Sequence, residues 1–163
     1  MPVRNGAATV ARAVASIRAQ TFSNWELIAV DDGSTNGTRE ILRELASGEP
    51  RMKVIEREHA GVAAAANAGA TAARGEFLAR MDADDVSHPE RLAEQVAFLD
   101  AAANRDIGVV GCLVEFGGDR AAGAGYALHV DWVNSLITSE EIALSRFVES
   151  PVEIGRASCR ERV

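Results

Sequence analysis

"GEFLARMDADDVSHPERL", residues 75–92, carries the grammar of the whole chain. A short apolar run through Phe77, Leu78 and Ala79 meets three carboxylates within four residues, Asp82, Asp84 and Asp85, and then Pro89. An apolar run closed by a polar turn predicts a buried strand over residues 75–81, and proline suits a first helical turn, so a helix is predicted over residues 91–102. Carboxylates this close repel one another and resist burial. They must be solvated, paired with cations, or holding a metal.

The same order recurs toward the N-terminus. "WELIAV" (residues 25–30) predicts a buried strand and is followed by Asp31-Asp32-Gly33-Ser34. Before it, Val10, Val14 and Ile17 share one face of a helix predicted over residues 7–20. After it come a helix over residues 38–45 capped by Ser34, Thr35 or Asn36, a strand "MKVIER", and an alanine-rich helix over residues 61–73. Beyond residue 102, "IGVVGCLVEF" (residues 107–116) predicts one or two strands and residues 117–126 a glycine-rich loop. Thr138 and Glu141 have capping-box spacing for a helix through Phe147. Alternation of strand and helix implies an α/β domain with a mostly parallel sheet and helices on both faces.

At 163 residues the chain has the length of one domain with a real core, and its 47% apolar content fits a globular protein. A net charge of −7 argues against a general nucleic-acid or anionic-membrane binder. No apolar run nears the roughly 18–20 residues of a membrane span. Cys112 and Cys159 make neither a CxxC pair nor a disulfide framework, which points to a reducing, cytoplasmic setting.

The ends break the pattern. Met1-Pro2-Val3 leads almost directly into a helix, so the first strand is expected to be a stub and the fold truncated at both ends. "EIGRASCRERV" (residues 153–163) has neither helical nor strand periodicity and resembles the in-frame translation of a common sequencing adapter. It is expected to be a non-native tail that packs against nothing specific, leaving a partial domain over residues 1–152.

In open α/β sheets, ligands sit beyond the carboxyl ends of the strands, where both acidic clusters are expected to converge. Hard divalent cations prefer carboxylate oxygens, and Mg2+ takes one or two of them plus substrate phosphates. The plainer alternative is that these are solvated loop carboxylates that cap the following helices.

Asn5 after "PVR", then "VDDGSTNGT" (residues 30–38), "AGVAAAANAG" (residues 60–69) and "FLARMDADD" (residues 77–85), in this order and spacing, resemble family 2 glycosyltransferases. These are inverting enzymes of the Rossmann-like GT-A fold, and the resemblance covers nearly all of residues 1–152. It implies a nucleoside-diphosphate sugar donor, first a UDP-sugar, and Mn2+ or Mg2+ as cofactor. It also implies Asp31 or Asp32 at the base, Asp82 at the ribose, and Asp84, beside Asp82, at the metal. Pro2, Val3 and Asn5 would lie along base and ribose, and Asn67 would face the donor pocket. The acceptor would be a saccharide or a lipid-linked sugar, in cell-envelope polysaccharide synthesis at the inner face of the membrane.

The chain departs from the family pattern at Ala66, where arginine is usual, and it has no "ED"-like motif downstream to supply a general base. Glu140-Glu141 is the nearest substitute, but its capping-box place favours a helix start. His59 and His88 read as loop surface groups, His129 as an aromatic packing partner of Tyr126 and Trp132, and Cys112 as a buried small hydrophobe. Two rivals remain: a nucleotide-sugar-binding remnant without activity, and a receiver-like Mg2+-binding domain. The receiver would need its acidic pair after the first strand and a late lysine, whereas Lys53 is the chain's only lysine.

Overall fold

The computed structural model describes residues 1–145 and 158–160. Its centre is β2 (Leu27–Asp32), a strand buried along its full length. Successive side chains of a strand point to opposite faces, and both faces of β2 are covered. Leu27 and Ala29 pack with Val10 and Val14 of α1 (Val10–Arg18) and Leu42 of α2 (Thr38–Ser47). Ile28 and Val30 pack on Ala65 of α3 (Val62–Ala72). A strand buried on both faces reads as a continuous apolar run, as "LIAV" does.

Two parallel neighbours flank it. β1 (Pro2–Val3) pairs Pro2 with Val30 and Val3 with Asp31, and β3 (Met52–Arg57) runs in register from Leu27 opposite Met52 to Asp32 opposite Arg57. Because all three strands are parallel, the loops after Val3, Asp32 and Arg57 leave from one edge. That edge carries the site.

A second, antiparallel sheet has the order β4-β6-β5, built from β4 (Phe77–Ala79), β5 (Val109–Val110) and β6 (Ser158–Arg160). β4 was expected to join the parallel sheet and does not. Met81 nevertheless packs with Ala13 and Ile17 of α1, and Ala83 joins the main core, so the chain after β4 returns to the site edge. Part of the tail, which was expected to pack against nothing specific, forms β6. Ser158–Arg160 pairs with Leu78 and Val109 through backbone hydrogen bonds that any extended segment satisfies at an open strand edge. The rest of residues 153–163 lies outside the described residues.

α4 (Arg91–Asp100) and a 3-10 turn (Ala102–Asn104) follow the acidic loop. The long "IGVVGCLVEF" run forms only the two residues of β5, and Cys112 is exposed rather than buried. The expected glycine-rich loop gives way at residue 124 to α5 (Ala124–Ser135), a helix whose apolar residues lack a clear helical stripe. α6 (Ser139–Ser145) opens with the expected capping box: Glu141 N–H donates to Thr138 Oγ1 at 3.2 Å and Thr138 N–H to Glu141 Oε2 at 2.9 Å. Residues 146–147 of that expected helix are outside the described residues.

Candidate functional site

Asp31 and Asp32 are the last two residues of β2, which runs two residues past the end expected at Val30. Their side chains alternate. Asp31 is fully buried and accepts the Ser34 N–H at 3.2 Å and Arg39 Nε at 3.0 Å. Arg39 also lies 3.6 Å from Glu56, which holds Arg43 in a bidentate pair at 2.6 and 2.7 Å. This is a charge-balanced cluster behind the loop.

Asp32 faces the other way. It accepts N–H groups from Ala60 at 3.0 Å and Gly61 at 2.9 Å, sits 3.5 Å from Arg57 Nε, and lies 2.7 Å from His59 Nδ1. The Ala60 N–H leads the influences that hold its carboxyl below the usual range. Gly33 has φ 74°, and a Cβ there would lie 2.9 Å from the His59 backbone nitrogen. Only glycine allows this approach of the loop after β2 to the loop after β3.

Asn5 ties in the loop after β1. It adopts the left-handed region at φ 53°, which asparagine visits more readily than most residues. Its N–H donates to Ser34 Oγ at 2.9 Å, and its Oδ1 accepts the Thr35 N–H at 2.9 Å.

The acidic loop of residues 82–85 is pinned from below by polar groups that sequence reasoning missed. Buried Gln20 donates to the His88 carbonyl at 2.7 Å and accepts the Leu92 N–H at 3.0 Å. Ser16 Oγ accepts the Ser87 N–H at 3.0 Å. Buried Arg91 donates to the Arg80 carbonyl at 2.8 Å, and Arg80 in turn holds Asp82 Oδ1 at 3.0 Å. The available signal was Gln20, a polar residue continuing the buried face of α1, and Arg91 opening an otherwise amphipathic helix.

These loops enclose a cavity of about 570 Å³. Its lining brings together Pro2, Val3, Asn5, Asp32, Asp82 and Asp84, with Arg4, His59, Val62 and Ala65 among the remaining walls. Between Asp31 and Asp32, which the sequence left open, the cavity takes Asp32. Asp31 and Asn67 are not in the lining; Asn67 is exposed on α3, where its carbonyl accepts Thr71 Oγ1 at 2.9 Å.

A family model, "Glycosyl transferase family 2", matches residues 1–162. The chain belongs to that family. It is 40% identical over 121 residues to EpsE of Bacillus subtilis (strain 168), covering 72% of this chain and 44% of that protein. It is 34% identical over 100 residues to UDP-Glc:alpha-D-GlcNAc-diphosphoundecaprenol beta-1,3-glucosyltransferase WfgD of Escherichia coli, covering 61% and 39%. Mannosyltransferase PcManGT from Pyrobaculum calidifontis, solved with GDP-Man and Mn2+, superposes with a TM-score of 0.63 at 28% identity over 70% of this chain and 34% of that one. S. aureus TarS 1-349 with UDP-GlcNAc gives 0.64 at 26% identity over 72% and 34%. This family 2 chain therefore spans less than half the length of each of these relatives.

The donor set of this family 2 site fits a hard divalent cation. Among the described residues no three His, Cys, Asp or Glu side chains gather closely enough to enclose a metal. Asp82 and Asp84 share the cavity; Arg80 engages one Asp82 oxygen, and the Asp84 carboxylate makes no hydrogen bond or ion pair among the described residues. Two carboxylates with coordination left for phosphate oxygens is the arrangement Mg2+ and similar ions take beside a diphosphate.

Elsewhere the plainer readings hold. Glu141 is occupied by its cap, accepting from Thr138 and Ile137, which pulls its pKa down. His129 lies between Tyr126 and Trp132, with centroids 6.4 and 5.8 Å away. No helix among the described residues is long and apolar enough to cross a membrane.

Proposed function

We propose that this chain is the donor-binding part of a glycosyltransferase that takes a nucleoside-diphosphate sugar, first a UDP-sugar, and in the complete protein passes the sugar to an acceptor hydroxyl with inversion. The observation that carries it is the convergence of Asp32, Asp82 and Asp84 with the Pro2–Asn5 loop around one cavity. The UDP-GlcNAc held by S. aureus TarS and the UDP-Glc in the name of WfgD support a uridine donor. The GDP-Man and Mn2+ of PcManGT support divalent-metal use and make guanosine the second choice.

In this reading Asp84 and the Asp82 oxygen not engaged by Arg80 hold Mn2+ or Mg2+. A cation there supplies Lewis-acid stabilisation of charge on the departing diphosphate. Asp82 also reaches the ribose, and Pro2, Val3 and Asn5 wall the nucleoside. The reaction joins the acceptor oxygen to the anomeric carbon as the bond from that carbon to the diphosphate breaks, and the acceptor proton must go to a base. We assign no base among the described residues, since Glu141 is spent on its helix.

Calorimetry tests the donor reading. UDP with Mn2+ should give a heat of binding that disappears with EDTA and in Asp84→Ala; equal binding in all three samples would sink the metal role. A coupled assay for nucleoside-diphosphate release should show this chain hydrolysing donor slowly, without stimulation by saccharide or lipid-linked acceptors. Acceptor-stimulated turnover at ordinary enzyme rates, roughly 1–10³ per second, would place a base within the chain.

A further inference from the structure

Arg80 stands outside the donor cavity but grips one of its carboxylates. Its Nη2 donates to Asp82 Oδ1 at 3.0 Å, and the two side chains are 33% and 38% exposed. The backbone around it is fixed: buried Arg91 donates to the Arg80 carbonyl at 2.8 Å, and Met81 packs with Ala13 and Ile17. The Arg80 Nε–H is buried and has no acceptor among the described residues. A buried N–H left unpaired costs free energy, so the Asp82 carboxylate is what compensates the guanidinium in this position.

The pairing divides Asp82. Oδ1 is taken by Arg80, which leaves the other oxygen and the Asp84 carboxylate to a cation in the cavity. Among the described residues no group of three His, Cys, Asp or Glu side chains completes the set. Arg80 thus works on the cation in two opposite ways. It fixes the carboxylate that the cation needs, and it sets a second positive charge on that same carboxylate, which repels the cation. Diphosphate oxygens bring negative charge to the cation and offset that repulsion.

We propose that Arg80 is a positioning residue that makes cation binding conditional on the donor's diphosphate. It holds Asp82 ready for the donor and opposes a bare ion at the same carboxylate. The proposal rests on the donor-binding reading above. By linkage, cation and nucleotide raise each other's affinity by one common factor, and Arg80 enlarges that factor.

Mn2+ titrations with and without UDP, followed by the paramagnetic resonance of free Mn2+, test it on the wild type, Arg80→Gln and Arg80→Lys. Arg80→Gln should bind Mn2+ alone about tenfold more tightly than the wild type. The factor by which UDP tightens Mn2+ binding should shrink by at least as much. Arg80→Lys keeps the charge without the planar fork, so it should stay near the wild type for Mn2+ alone. A folding defect only weakens Mn2+ binding, so a gain is a signature that a purely structural Arg80 does not produce. The wild type supplies a readout that needs no variant: UDP should tighten Mn2+ binding at least about tenfold, and uridine, which lacks the diphosphate, should leave it unchanged. Unchanged or weaker Mn2+ binding by folded Arg80→Gln, or equal effects of UDP and uridine, would overturn the proposal while UDP binding itself stands. Failure of the wild type to bind UDP in the presence of Mn2+ would overturn both.

Discussion

Asp84 and Arg91 show how differently single residues serve this site. The Asp84 carboxylate is exposed and makes no bond within the described residues, so its replacement leaves little unsatisfied. Asp84→Asn is expected to abolish Mn2+-dependent nucleotide binding while changing folding stability by less than about 0.5 kcal/mol, the usual range for surface substitutions. Paired calorimetry and urea unfolding check both halves. Arg91 is the converse: buried, outside the cavity, and donating to the Arg80 carbonyl. Arg91→Met leaves that buried acceptor without its charged donor, which costs roughly 1–3 kcal/mol. Nucleotide affinity should fall with it, because Arg80 no longer holds Asp82 in place; unchanged affinity in a measurably destabilised variant would show that the loop does not depend on this contact.

At the scale of elements, the site is a set of loops held against one another at the end of a parallel sheet. Gly33 and Gly37 both have positive φ, 74° and 80°. A Cβ at Gly37 would meet nothing within 4 Å, whereas one at Gly33 would meet the His59 backbone at 2.9 Å. Gly37→Ala should therefore cost only the backbone term, about 1–2 kcal/mol. Gly33→Ala should cost more and also weaken nucleotide binding, since the loop bearing His59 must move. Equal unfolding midpoints in urea for the two variants would refute the close approach. The acidic loop is fixed in another way, through Ser16 and Gln20 of α1, so that a core helix positions residues some seventy places later in the chain.

For the whole molecule, acid sensitivity follows from buried carboxylates paired in the folded state. Glu49 is held at about pKa 2, first by the side-chain hydrogen bonds of Arg51, which grips both its oxygens at 2.8 and 2.9 Å and stacks on Trp25. Its pKa is lower folded than unfolded, so its contribution is complete above about pH 4.5 and is lost as pH falls toward 2. Asp32 shifts in the same direction. Thermal melts between pH 6 and pH 2 should show a steep decline, and Glu49→Gln should be less stable at neutral pH with a shallower slope. A Glu49→Gln slope equal to that of the wild type would remove Glu49 from this account.

Local chemistry made several features legible in the sequence. "WELIAV" predicted a buried strand because it is short and largely apolar, and Thr138 with Glu141 marked a helix start because the cap is completed within four residues. The acidic clusters pointed to a ligand edge because carboxylates have few other reasons to follow two apolar strands. What the sequence missed depends on partners distant along the chain. α5 has no clear apolar stripe, so nothing local announced it. β4 pairs with Ser158–Arg160 in a second sheet, and no property of residues 77–79 records that partner. The choice of Asp32 over Asp31 lies in strand alternation relative to the packed helices. His59, which looked like a loop surface group, is held in place only because the fold sets the Asp32 carboxylate from another strand 2.7 Å from its ring.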